Sequence, residues 1–237
     1  MTNEERLPGS SDSAGPIALT ADDDEFFRIA LKLLLIRQLG FQDVIETGCF
    51  DEALERLAEG ANVSLALFDL QMPGLESPMN LQVVRENFPK TRVVVVSSSQ
   101  RHQDIMAALR GGVHGYVPKS LGPAGLASAL RLVLQGTIFV PTSLAELTPE
   151  DRSKVRTRTS STESGTPTLT PRQQQVLPLL IEGRSNKEIA RILKLGEGTV
   201  KIHMAALIRN LGATNRAAGA VVGARLLSDQ RSPQNRH

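Results

Sequence analysis

Short apolar runs that return at intervals, each followed by a segment with helical spacing, constrain residues 16–140 more than any other feature of this chain. The runs 17–21, 63–68, 93–96 and 115–117, with 43–47 as a further short strand, alternate with helix-like segments over 25–39, 50–59, 79–88, 103–109 and 123–134. The runs carry apolar residues continuously instead of every second position, so they suit strands covered on both faces. Strand-helix alternation of this kind predicts an α/β unit with a doubly wound parallel sheet of five strands and helices on both faces. Gly40, Gly60, Pro89 and Gly136 stand where those helices should stop.

The apolar run from Leu65 to Phe68 ends with a carboxylate, Asp69, followed by Leu70, Gln71, Met72, Pro73 and Gly74; the first run ends at Asp22, Asp23 and Asp24. In neighbouring parallel strands these acids gather at one sheet edge. Like charges a few ångströms apart resist joint ionisation unless a cation compensates them, and an all-oxygen donor set suits a hard ion, Mg²⁺. Three successive aspartates leave open a pair of Asp22 and Asp23 or of Asp23 and Asp24, and Asp24 suits the cap of the helix starting at Glu25.

Charge divides the chain. Residues 17–140 hold 11 basic and 14 acidic side chains, a net −3, whereas residues 166–237 hold 11 and 4, a net +7. A basic C-terminal half suits a polyanion. With no Trp and Tyr116 as the single tyrosine, stacking on unpaired bases has little material. The longest apolar runs are too short to span a bilayer, residues 1–16 do not read as a signal sequence, and a lone cysteine, Cys49, fits a reducing compartment. The expectation is a cytoplasmic protein with no membrane partner.

Residues 1–15 read as a flexible tail, 16–140 as the α/β domain, 141–167 as a linker with a short helix at 149–154, 168–228 as an all-α domain and 229–237 as a tail. In the all-α part, Thr170, Pro171 and Gln173 form a capping box with proline at the first helical position, opening a helix that Gly183 ends. Ser185 or Asn186 caps a second helix to Leu193, and helices over 196–211 and 215–227 follow. The stretch 170–211 reads as a helix-turn-helix.

These residues resemble a known family. Asp22, Asp23 and Arg28; Asp69 with Met72, Pro73 and Gly74; Ser97 after four valines; and Gly115 to Lys119 resemble the receiver domain of two-component response regulators. Leu169 to Arg172, Glu182 to Ala190 and Glu197 to His203 resemble the LuxR-type DNA-binding domain, and together the two match the NarL/FixJ subfamily. The resemblance implies a flavodoxin-like receiver in which Asp69 accepts a phosphoryl group from a sensor histidine kinase. It also implies Mg²⁺ held by Asp22, Asp23, Asp69 and the Gln71 backbone carbonyl, with Lys119 and Ser97 assisting. Phosphorylation would move Ser97 and draw Tyr116 inward as a switch. The implied partners are double-stranded DNA, a second copy of the chain and, as a further candidate, RNA polymerase; no enzymatic role is implied.

In the helix over 196–211, Val200, Met204, Leu207 and Leu211 share the face expected to be buried. Thr199, Lys201, Ile202, Ala205 and Arg209 are left toward solvent or DNA. Lys201 suits a guanine or phosphate, Ile202 a thymine methyl, and Lys187 and His203 backbone phosphates. Several positions depart from the family pattern. Gln173 stands for a glutamate, Gly196 for a serine cap, Ala205 for a polar DNA contact, and Glu76, Ser77 and Pro78 for an Asp-Gly helix start. Gly219 and Gly223 suggest close packing of two copies. Two other readings are a DNA binder controlled by a partner without phosphate, and an aspartyl-phosphate phosphotransferase or phosphatase. Gln71, which stands where the latter would carry a second acid, speaks against it.

Overall fold

The computed structural model describes residues 15–60, 62–144 and 169–230. The expected helix at 149–154 and most of the expected tails and linker lie outside them. The α/β unit runs β1 (Ile17–Ala21), α1 (Glu25–Leu39), β2 (Asp43–Thr47), α2 (Phe50–Ala58), β3 (Val63–Phe68), α3 (Gln82–Asn87), β4 (Arg92–Ser97), α4 (His102–Arg110), β5 (Gly115–Pro118) and α5 (Gly122–Leu134). All strand pairs are parallel, in the order β2-β1-β3-β4-β5. The chain reverses its winding direction between β1 and β3. Loops leaving those two strands therefore part to opposite sides, which is where such sheets hold ligands.

Two apolar layers sandwich the sheet. Leu31, Leu35, Leu126 and Leu130 of α1 and α5 meet Leu65, Leu67, Val94 and Val96 on one face. Phe50, Leu54, Leu81 and Ile105 meet Leu19, Phe68, Val93 and Val95 on the other. Alternate residues of β4 thus go to opposite layers, which is why its run of valines carries no period. The segment expected as one helix over 79–88 is divided. Ser77 accepts from the Met79 N–H, Pro78 to Leu81 form a 3-10 turn, and only then does α3 begin. Proline at the first position, with a polar side chain capping two residues on, favours the tight turn.

The helical unit comprises α6 (Pro171–Ile181), α7 (Asn186–Leu193), α8 (Glu197–Asn210) and α9 (Arg216–Gln230). Capping boxes close the starts of α6 and α7, from Thr170 with Gln173 and from Ser185 with Glu188. Glutamine at position 173 therefore preserves the capping geometry. Val176, Leu177, Leu180, Ile189, Val200, Met204, Leu207 and Leu211 form the core, with the face expected of α8 turned inward. Gly219 and Gly223 require a correction: a Cβ at Gly223 would lie 2.3 Å from Leu177 Cδ1, and one at Gly219 would lie 3.2 Å from Ile208 Cγ1. Both glycines let α9 settle within its own unit, so they lend no support to a two-copy contact.

Candidate functional site

At the carboxyl edge of the sheet, Asp22 follows β1, Asp69 follows β3 and Lys119 follows β5. Ligand oxygens of Asp22, Asp23 and Asp69 lie within 4.8 Å of one another. Lys119 Nζ stands 2.7 Å from Asp22 Oδ2 and 3.4 Å from Asp69 Oδ2, and 4.4 Å above the centre of the Phe27 ring. Main-chain contacts fix the acids: the Asp69 N–H donates to Ala21 O (2.8 Å), Leu70 N–H to Asp69 Oδ1 (2.8 Å) and Arg28 to Asp22 O (2.6 Å). Asp24 accepts from Phe27 N–H as the cap of α1, a role apart from the other two acids.

Asp22 and Asp69 are buried while Asp23 is exposed. Burial pushes the Asp22 carboxyl above the ordinary carboxylate value, outweighing its hydrogen bonds to Lys119 and the Asp24 N–H, and the Asp69 charge adds to the rise. One ammonium thus faces three carboxylates. That surplus of negative oxygen, with one side open at Asp23, fits a hard divalent cation.

Ser97 ends β4 fully buried, its Oγ accepting from the Ser99 N–H at 3.2 Å. Tyr116 differs from expectation. Its side chain is already fully buried, and its hydroxyl donates to Ser99 O at 2.7 Å. Burial raises the phenol pKa against that hydrogen bond. The ring therefore occupies an inward position in this structure, next to the strand that carries Ser97.

The expected DNA readers divide. Lys187 and Lys201 are exposed, the latter 3.8 Å from Glu197. Thr199, Ile202 and His203 are buried, which corrects the placement of Thr199 and Ile202 toward solvent. The cover is the α/β unit: Ile202 and Ala206 join the same apolar layer as Phe50 and Leu54. A Cβ at Gly198 would lie 2.7 Å from Ala58 Cβ on α2. The second helix of the helix-turn-helix thus has two buried faces, one on its own core and one on the neighbouring unit.

Sequence reasoning missed the polar part of this contact. Asp51, in the first turn of α2, receives the Arg172 guanidinium (Nε at 3.0 Å, Nη2 closer) and faces His203 Nε2 at 3.3 Å, and its carbonyl accepts from Thr199 Oγ1 at 3.4 Å. Arg209 pairs with Glu86 of α3. Burial pushes the Asp51 carboxyl upward, but the His203 hydrogen bond and the Arg172 charge outweigh it and hold the group below the ordinary value. A cleft of about 220 Å³, lined by Phe50, Gly74, Arg172, His203 and Arg209, opens between the units. The loop after Asp69 reaches this seam. Phe50 N–H donates to Pro73 O at 2.9 Å, and Gly74, at φ +87°, brings its Cα against Phe50 and Asp51, where a Cβ would sit 3.4 Å from Phe50 Cβ.

The acidic sheet edge closed by a lysine and the capped helix-turn-helix fall in two segments of the chain that each match a known family. Residues 18–131 match the family described as the response regulator receiver domain, and residues 167–222 match the bacterial regulatory proteins of the luxR family. The chain is 32% identical over 203 residues to the nitrate/nitrite response regulator protein NarL of Escherichia coli (strain K12), covering 86% of this chain and 92% of that protein. It is 32% identical over 202 residues to the glycerol metabolism activator of Pseudomonas putida, covering 84% and 90%. The RcsB response regulator of Salmonella typhimurium shares the fold, with a TM-score of 0.50 at 22% identity over 90% of this chain and 99% of that one. The chain belongs to the two-component response regulators of the NarL/FixJ type, which are transcription regulators with a receiver and a LuxR-type helix-turn-helix. Among the described residues no helix is long and apolar enough to cross a membrane.

Proposed function

We propose that Asp69 accepts a phosphoryl group from a phosphohistidine of a sensor kinase, and that this frees the helix-turn-helix to bind double-stranded DNA and regulate transcription in the cytoplasm. A carboxylate oxygen of Asp69 attacks phosphorus, the P–N bond breaks, and its electron pair returns to the histidine ring. Lys119 neutralises charge on the transferred oxygens, and the buried Ser97 hydroxyl is the further donor at this edge. Asp22, Asp23, Asp69 and the Gln71 carbonyl would hold Mg²⁺, which supplies the rest of the charge compensation.

One observation carries the switch: α8, whose N-terminal residues would read bases, is covered by α2, and α2 is tied to the loop that begins at Asp69. A phosphoryl group on Asp69 loads that loop with charge and steric demand next to the Asp51 contact. Once freed, Lys201, Thr199 and Ile202 would read the major groove while Lys187 and His203 meet phosphates. Pairing of two copies would make the second half-site contact effectively intramolecular, and contact with RNA polymerase would then follow.

A small phosphodonor with Mg²⁺ should increase affinity for a duplex taken from the DNA upstream of the coding region, in a gel shift. Equal affinity with and without the donor would refute the switch. With donor present, Lys201→Ala should weaken that binding by about 1–3 kcal/mol if the side chain meets a base. Mg²⁺ alone should raise the melting temperature of the chain by ligand linkage, about 2.7 kcal/mol of stabilisation at 100 times Kd. Asp22→Asn should lose this response, and an unchanged Mg²⁺ shift in that variant would place the ion elsewhere.

A further inference from the structure

Asp51 gathers polar groups from two separate helices of the effector unit. Arg172 lies in the first turn of α6 and His203 midway along α8, yet both address one carboxylate. Because an ionised carboxylate can only accept, His203 Nε2 carries the proton toward it. The receiver therefore presents a fixed anionic oxygen pair to a guanidinium fork and an imidazole N–H. A phosphodiester presents the same thing, and arginine suits both anions for the same geometric reason.

We propose that Arg172 and His203 form a phosphodiester-binding site of the effector unit, and that Asp51 fills it in the closed arrangement as an internal mimic of the DNA backbone. The proposal rests on the DNA-binding reading above and adds to it a ligand for that surface, Arg172, which helix periodicity and motif position do not select. The two groups flank the same buried surface as Thr199 and Ile202, on the helix assigned to the major groove. Sharing one carboxylate holds their polar atoms around a single anion-sized point without further rearrangement. Arg209 repeats the pattern near the other end of α8, where its receiver partner is again an acid, Glu86. The opposite net charges of the two halves of the chain make the pairing favourable overall. Closure and DNA binding then compete for the same cations, so the receiver inhibits by occupying the site as well as by covering the helix.

Phosphate contacts are independent of sequence, so a mixed-sequence duplex of about 30 base pairs serves as the test ligand, with fluorescence anisotropy of the full chain followed against salt. Without phosphodonor, Asp51→Asn should bind about tenfold more tightly than wild type if closure lowers the competent fraction by that factor. Arg172→Gln, which breaks the same contact from the other side, should show no such gain. Adding Arg172→Gln to Asp51→Asn should remove the gain and reduce the slope of log K against log salt by about 1, the loss of one phosphate contact. Arg172→Lys should restore most of the slope. Gly198→Ala, which opens the seam sterically without altering charge, offers a second background for the Arg172 comparison should Asp51→Asn fold poorly. If Arg172→Gln binds as tightly as Asp51→Asn, or leaves the slope of either background unchanged, Arg172 is only a clamp and the proposal fails while DNA binding stands. If no variant binds the duplex at any salt concentration, the proposal and the DNA-binding reading fall together.

Discussion

Asp69→Asn should take up no phosphoryl label from a small phosphodonor and Mg²⁺, under conditions in which the wild-type chain is labelled. The substitution is isosteric, and the amide oxygen can still accept the Leu70 N–H that Asp69 Oδ1 accepts at 2.8 Å. Lys119 keeps its partner Asp22 at 2.7 Å. The fold therefore has no reason to fail. One of the carboxylates crowded at this edge has gone, and the melting temperature should be unchanged or higher. What is lost is the nucleophile, because a carboxamide does not offer a free anionic oxygen to phosphorus. Asp22 and Asp23 lie close enough for their oxygens to share a cation with Asp69, so the measurement is a fair contest among three acids. Label on the variant equal to that on wild type would assign the acceptor to one of the other two.

Leu207→Ala should abolish DNA binding while leaving phosphoryl uptake at Asp69 intact. Leu207 is fully buried in the small core of the helical unit. Truncating such a leucine costs about 2–5 kcal/mol, through lost burial and the cavity left behind. A unit of roughly 60 residues has only a few kcal/mol to lose. Urea unfolding followed by circular dichroism should show the helical unit melting early and the receiver transition nearly unmoved. Ile202→Ala is the informative contrast. Its side chain is also buried, but in the layer shared with Phe50 and Leu54. The same helix should therefore remain folded, and its contact with the receiver should loosen. An early transition for Ile202→Ala as large as that for Leu207→Ala would show that the two faces of α8 are not energetically separate.

The contrast between those two faces also marks what could be read in the chain beforehand. Val200, Met204, Leu207 and Leu211 recur at helical spacing, so the inner face of α8 was legible. Thr199 and Ile202 fall off that face, and periodicity assigns them outward. Their cover is Asp51 and the α2 helix, about 150 positions earlier in the chain, and no local pattern encodes such a partner. The strands were legible because continuous apolar runs have few other uses in a parallel α/β unit. The acids were legible because each ends a strand. The inward Tyr116 was not, since its hydroxyl is satisfied by a carbonyl, that of Ser99, whose position depends on a loop conformation. The 3-10 turn at Pro78 was hidden for a related reason: over so few residues it carries the same apolar spacing as an α-helix. The glycines of α9 misled because the chain cannot say whether the surface approaching a missing side chain is its own or a copy's.

Gly198, in the first turn of α8, lets the helix come so near to Ala58 that an added methyl group would overlap it at 2.7 Å. Glycine within a helix forfeits about 1 kcal/mol relative to alanine, so this chain accepts a weaker reading helix in exchange for a tight seal. An alanine arising there would strengthen the helix and loosen the seal, changing the occupancy of the DNA in unstimulated cells while leaving the chemistry of the acidic edge untouched. Natural variation at this single position would therefore tune the background level of the regulated genes instead of their response to the signal.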